Sequence, residues 1–157
     1  MNILRKMIAA GANALFRGAQ TKGIVASTLI LLSSSAIAGS SAGYGMGGQF
    51  TRFDPVVSQY NQSGELFRIE GHCQSACTLF LGIRNVCVER TARLLFHAGH
   101  DRNKNIKPAS TSHMLSAYNP SLRAFVTTNH YMDTLDFHTI SGSDMIQKFG
   151  YKACPNK

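Results

Sequence analysis

The sequence predicts a single α/β domain of repeated strand and helix units, stapled by disulfides. Short β-type runs alternate with an apolar run of helical spacing between Phe67 and Phe96. Four cysteines stand in the part of the chain that follows an export-type leader, and an even number in an exported protein points to two bridges.

The leader spans residues 1–38. Arg5, Lys6, Arg17 and Lys22 form a basic start, Gly23 to Leu32 is apolar, and Ala36-Ile37-Ala38 has the small-x-small pattern of a cleavage site before Gly39. An uncleaved anchor is the rival reading, but Ser33, Ser34 and Ser35 interrupt the apolar run, which is short for a crossing of roughly 20 residues. Cleavage predicts a periplasmic or secreted protein with no stable membrane insertion. Taking 38 residues from 157 leaves 119, enough for one core and too few for two.

The elements follow in order. Gly43, Gly45, Gly47 and Gly48 make a glycine-rich stretch that reads as a flexible start or as a loop built for close backbone approach. Asp54-Pro55 opens a short helix, Asn61 to Gly64 is a turn, and Leu66 to Glu70 is a strand. Ala76, Leu79, Phe80 and Ile83 fall at helical spacing and predict a buried helix over 76–83. Val86 to Val88 and Ala92 to Phe96 are the next strands, so strand, helix and strand predict parallel pairing. A polar loop runs to about Ser112, helices cover His113 to Tyr118 and Ser121 to Tyr131 with a break at Asn119-Pro120, and a last helix closed by Gly150 leads to a terminal strand held by Cys154.

The removal of four basic leader residues leaves 12 Lys and Arg against 8 acids, a net charge of +4. The cations are dispersed instead of lining one face or alternating with aromatics, which argues against a nucleic-acid partner. The one basic cluster, Asp101 to Lys107, reads as a solvated loop in preference to an anionic-ligand site.

Chemistry concentrates around Ser75. A β-type run reaches Gly71, presents one serine and passes into the apolar helical segment, a position where a nucleophile gains free N–H groups for a developing oxyanion. The plainer role of such a serine is a helix N-cap, stabilising by roughly 1 kcal/mol. His97 ends the next strand, 22 residues on, and is the candidate base. His72 belongs to the strand that presents Ser75 and is a poorer base, while His100, His113, His130 and His138 read as surface or loop residues.

Cys73 and Cys77 flank Ser75 in a turn that must stay open for catalysis. The expected pairing therefore has each bonded elsewhere, one to Cys87, with another bridge reaching Cys154. A zinc site drawn from cysteines and histidines is disfavoured in an exported chain with no ligand pairing at i, i+4, and no metal or cofactor is expected.

GHCQSACTLFLG followed by VCVERTARLLFHAG resembles the serine and histidine segments of the Clp protease proteolytic subunit and, more closely, small exported bacterial proteins related to that fold. The resemblance runs from Gly47 to Gly99, under half of the chain, and returns in SGSDMIQKFGYKAC. It implies a reduced ClpP/crotonase-like core, with Ser75 as nucleophile, His97 as base, and the Gly47-Gly48 pair beside the nucleophile so that Gly48 N–H and Ala76 N–H bind the oxyanion. It also implies an aspartate before the last helix. Asp133 and Asp136 precede that helix, Asp144 falls within it, and Asp136 has the better offset. The residues around it do not reproduce the family pattern, so a Ser-His dyad, or a triad completed by a backbone carbonyl, stays open beside the Asp136 triad.

The function this implies is a periplasmic serine hydrolase acting on peptide or protein substrates. The alternative is a noncatalytic peptide-binding or assembly protein of the cell envelope. Family analogy adds a homo-oligomer, a trimer or ring, although no oligomerisation helix is recognisable.

Overall fold

Two extended runs, each bent once, generate both sheets of the protein. The computed structural model describes residues 39–156, so the leader reading for 1–38 lies outside the described residues. Along the chain come β1 (Gly39–Ser40), a 3-10 turn, α1 (Asp54–Ser63), β2 (Phe67–Ile69), β3 (His72–Gln74), a 3-10 helix (Ser75–Gly82), β4 (Val86–Val88), β5 (Arg93–Phe96), α2 (Pro108–Ser116), α3 (Pro120–Thr128), β6 (His138–Ser141), α4 (Gly142–Gln147) and β7 (Lys152–Ala153). The fold is mixed α/β, as the alternation predicts.

The first run carries β2 and then β3, turning at Gly71, whose φ of 61° suits glycine. The second carries β4 and then β5, turning where Ala92 N–H donates to Glu89 C=O. Because both runs bend at matching points, β2 pairs with β4 in one sheet and β3 with β5 in another, both parallel. The first sheet has order β1-β2-β4-β7 and is parallel throughout; the second has order β3-β5-β6. There β6 pairs antiparallel with β5, setting Phe96 opposite His138. The β6 strand was not expected. Its β-branched Thr139-Ile140 pair is the sequence signal for it.

The crossover between the runs is a 3-10 helix and not the α-helix predicted over 76–83. Its residues Ala76 through Leu81 are all buried, so no amphipathic face selects a period, and Ile83 leaves the helix in extended conformation. Gly82 lies against Ala117, where an added Cβ would come within 3.2 Å of the alanine methyl. Phe80 centres an aromatic cluster, with ring centroids 4.6 Å from Phe67, 5.4 Å from Phe53 and 5.2 Å from Tyr44. Leu94, Val88, Leu122, Val126 and Met145 complete the core.

Helix boundaries follow their caps. Gly64, at φ 71°, closes α1 with its N–H on Tyr60 C=O, so the helix continues through the turn expected from Asn61. Pro108 starts α2 five residues before the expected His113, a proline at the first helical position. Asn119 caps α3 through Leu122 N–H at 2.9 Å, and Ser141 caps α4 through Asp144 N–H at 3.0 Å. Gly150 stands beyond the end of α4, at φ 73°, and turns the chain toward β7.

The disulfides correct the expected pairing. Cys73 bonds Cys77, with Cα atoms 5.2 Å apart, and Cys87 bonds Cys154 across β4 and the residue after β7, with Cα atoms 4.8 Å apart. Strand alternation turns Cys73 inward, and Cys77 faces the core from the first turn of the 3-10 helix, so the two sulfurs meet beneath the turn and leave Ser75 on its outer side. The second bridge closes 67 residues and the first only 4. Loop-closure entropy therefore gives Cys87–Cys154 about 4 kcal/mol and Cys73–Cys77 about 2 kcal/mol. Urea unfolding of the two double Cys→Ala variants should show the larger loss for Cys87/Cys154; equal or inverted losses would mean that the short bridge carries native-state contacts beyond closure.

Candidate active site

Ser75 sits where β3 ends and the 3-10 helix begins, with φ at 54°, in the left-handed region that non-glycine residues avoid. A serine in that conformation is displayed at a sharp strand-to-helix turn and not drawn into the ladder. Three features over-determine the strained residue. The Cys73–Cys77 bond brackets it, Thr78 Oγ1 donates to Ser75 C=O at 2.7 Å, and the Thr78 hydroxyl is in turn 2.6 Å from Tyr118 Oη. Thr78 and Tyr118 are both buried, and burial raises the Tyr118 phenol well above its ordinary range, so it stays a neutral hydrogen-bonding group. Ser75 is not the N-cap: Gln74 occupies that position, with no side-chain capping bond. Its own hydroxyl makes no hydrogen bond among the described residues.

The glycine stretch is an ordered loop packed beside Ser75. Gln74 N–H donates to Gly45 C=O at 2.9 Å and Gln74 Nε2 to Met46 C=O at 3.0 Å, which straps the loop to β3. Gly47, at φ 70°, approaches so closely that an added Cβ would stand 2.8 Å from both Gln74 C=O and Ser75 Cβ. Gly48, at φ 140°, lines the cavity in front of Ser75, and its N–H has no acceptor among the described residues. Ala76 N–H lies in the first turn of the 3-10 helix, where no preceding turn supplies an acceptor.

His97 follows β5 and faces the same cavity, of about 680 Å³, which Ser75 and Gly48 also line. It is 3% exposed, and neither ring nitrogen has a hydrogen-bond partner among the described residues. Burial holds its pKa below the ordinary 6.5; the Ala98 backbone opposes that without reaching hydrogen-bond geometry, and nearby His100 lowers the pKa further. The ring packs against Phe137 at 4.8 Å and against His100 at 5.5 Å between centroids. Buried and neutral, it has a lone pair available to take a proton from a group entering the cavity.

Asp136 makes no hydrogen bond to His97. It is exposed and its carboxylate accepts from Thr134 Oγ1 at 3.3 Å, in the polar connection ahead of β6. Asp133 pairs with His130 at 2.7 Å and Asp144 with Lys148 at 3.0 Å, so neither orients the imidazole. The strand β6 stands between Asp133, Asp136 and the start of α4, so neither of these two acids directly precedes the last helix, and Asp144 lies within it. Of the remaining histidines, His72 is turned outward onto Gln74, His113 pairs with Asp54 at 2.9 Å, and His138 begins β6 and stacks on Tyr131. His100 is exposed as expected but also lines the cavity. All four cysteines are in disulfides, which leaves none as a thiol nucleophile or thiolate ligand.

Several lining residues carry no motif in the sequence: Met46, Gln49, Phe50, Arg102, Met114 and Phe137. Thr78 had a local signal, since a threonine three residues into a helix can bond back to the preceding turn. Comparison of the chain with protein-family models, with curated proteins and with solved structures finds no match.

Gly47→Ala combines a left-handed backbone with contacts to the Ser75 turn, whereas Gly64→Ala meets the same backbone strain in open space. Gly64→Ala should cost about 1 kcal/mol and Gly47→Ala at least about 1 kcal/mol more in chemical denaturation. Equal costs would mean that the glycine loop yields freely and does not brace Ser75.

Proposed function

We propose that the chain is a periplasmic or secreted serine hydrolase, a peptidase with a reduced ClpP/crotonase-like core that works through a Ser75–His97 dyad. One observation carries the reading. Ser75, the one non-glycine lining residue held at positive φ among the described residues, shares a cavity with a buried histidine whose two ring nitrogens are both unpartnered. The resemblance of the serine and histidine segments to the Clp-like family agrees with it. The two disulfides fit an oxidising, extracytoplasmic compartment, and among the described residues no helix is long and apolar enough to cross a membrane.

In this mechanism Ser75 Oγ attacks the scissile carbonyl while His97 takes the hydroxyl proton. The carbonyl oxygen becomes an oxyanion between Gly48 N–H and Ala76 N–H, groups that spend no bond on another acceptor among the described residues. Collapse of the intermediate breaks the C–N bond, and His97 returns its proton to the leaving amine. Water then attacks the acyl ester with His97 again as base, releasing the carboxylic acid and restoring Ser75. The absence of an acid on His97 weakens catalysis without abolishing it, because the oxyanion donors and positioning act independently. That same unsupported imidazole favours a second reading, a noncatalytic cleft that holds peptides.

A fluorophosphonate probe on the purified, oxidised protein separates the two. Covalent labelling lost in Ser75→Ala and reduced at least about tenfold in His97→Gln is the expected outcome; an unlabelled, folded wild type overturns hydrolysis and leaves binding. Because burial lowers the His97 pKa, the imidazole stays neutral through pH 6.5 and protonates only at lower pH. The labelling rate should therefore reach half its plateau below pH 6.5, and a midpoint above that value would show that His97 is not the buried base.

A further inference from the structure

The cleft in front of Ser75 joins an uncovered apolar lining to one uncompensated cation. Met46 is 75% exposed and Phe137 49% exposed, and both stand at this cavity beside Phe50 and Met114. Two of the three large apolar side chains most open to water among the described residues thus gather at one site, as a docking groove requires. Arg102 lines it too. Gln49 Oε1, in the amide orientation that satisfies both groups, accepts from Arg102 Nη2 at 2.7 Å and Nε at 3.2 Å and so steadies the guanidinium. No carboxylate among the described residues pairs with it.

The neighbouring acid is already committed. Asp101 Oδ1 accepts from Asn103 N–H and Asn105 N–H, both at 2.9 Å, and Oδ2 lies 3.1 Å from Asn105 Nδ2 and 3.2 Å from Lys107 Nζ. Asp101 lines the cavity as well, but its carboxylate is engaged by Lys107 and the loop amides and not by Arg102, which keeps free donors at the cleft. A cation with free donors above an apolar groove selects an anion attached to an apolar group.

We propose that the groove takes a peptide segment in which a bulky apolar side chain stands next to a carboxylate, with Arg102 as the residue that reads the carboxylate. The apolar side chain lies against Met46, Phe50 and Phe137, and the carboxylate meets the guanidinium edge that Gln49 leaves open. The proposal rests on the peptide reading of the cleft and is independent of whether the bound peptide is cut.

The test is fluorescence anisotropy with the Ser75→Ala protein, which removes turnover, and three labelled pentapeptides alike except at one position: Gly-Leu-Glu-Leu-Gly and its Gln and Lys counterparts. The Glu peptide should bind about fivefold more tightly than the Gln peptide and the Lys peptide most weakly, a preference that shrinks as salt is raised. Arg102→Gln should abolish the Glu over Gln preference while leaving affinity for the Gln peptide within about twofold. Equal binding of Glu and Gln peptides, a preference that survives Arg102→Gln, or binding of dodecanoate with none of the peptides each overturns the proposal. Charge preference without fluorophosphonate labelling sinks hydrolysis alone; labelling without charge preference sinks this inference alone.

Discussion

The covalent closure of Cys73 onto Cys77 around a left-handed serine is the constraint from which the rest of the site follows. A residue at φ 54° with a side chain loses its strain by relaxing into the ordinary helical or extended basin unless its neighbours forbid it. Here the neighbours are a bridge beneath the turn, a buried threonine on the serine carbonyl, and a glycine loop hydrogen-bonded to the preceding strand. With the backbone held from three sides, Ser75 lines the cavity. The cavity exists because that side of the turn is left open.

The second determinant is the way two extended runs share their bend. Parallel strands bring their C-terminal ends to one edge of a sheet, and β3 and β5 are in register with Gln74 beside Leu95. The next residue after Gln74 is Ser75 and the second after Leu95 is His97, so a separation of 22 in sequence collapses to two adjoining strand ends. The first sheet, with its aromatic cluster around Phe80, supplies the burial that keeps this edge in place. The second disulfide fastens the C-terminal segment to β4 of that sheet.

Polarity is distributed unevenly across the site. Beneath Ser75 the Thr78 and Tyr118 hydroxyls satisfy each other and the backbone, so this part of the core carries hydrogen-bonded polar groups without an unpaired one. On the cavity side His97 has both nitrogens open, and Arg102 has donors to spare. Burying an unpartnered imidazole costs free energy that packing must offset, which separates a group held ready for an incoming molecule from one that merely fills space.

Local pattern in the sequence determined a good deal: the α/β alternation, the strands at 86–88 and near 92–96, the parallel crossover, the serine at a strand end and the histidine closing the next strand. Each is written in neighbouring residues through side-chain period, turn chemistry and caps, which is why it can be read without coordinates. Tertiary structure alone decided the disulfide partners, the 3-10 form of the crossover, the pairing of Asp136 with Thr134 instead of His97 and the gathering of Met46, Phe50, Arg102 and Phe137 around one cavity. Those outcomes depend on which faces of distant segments meet. A cysteine's partner or a carboxylate's reach is set by the direction of a Cβ vector after the chain has folded, and that direction changes with a single unforeseen strand such as β6.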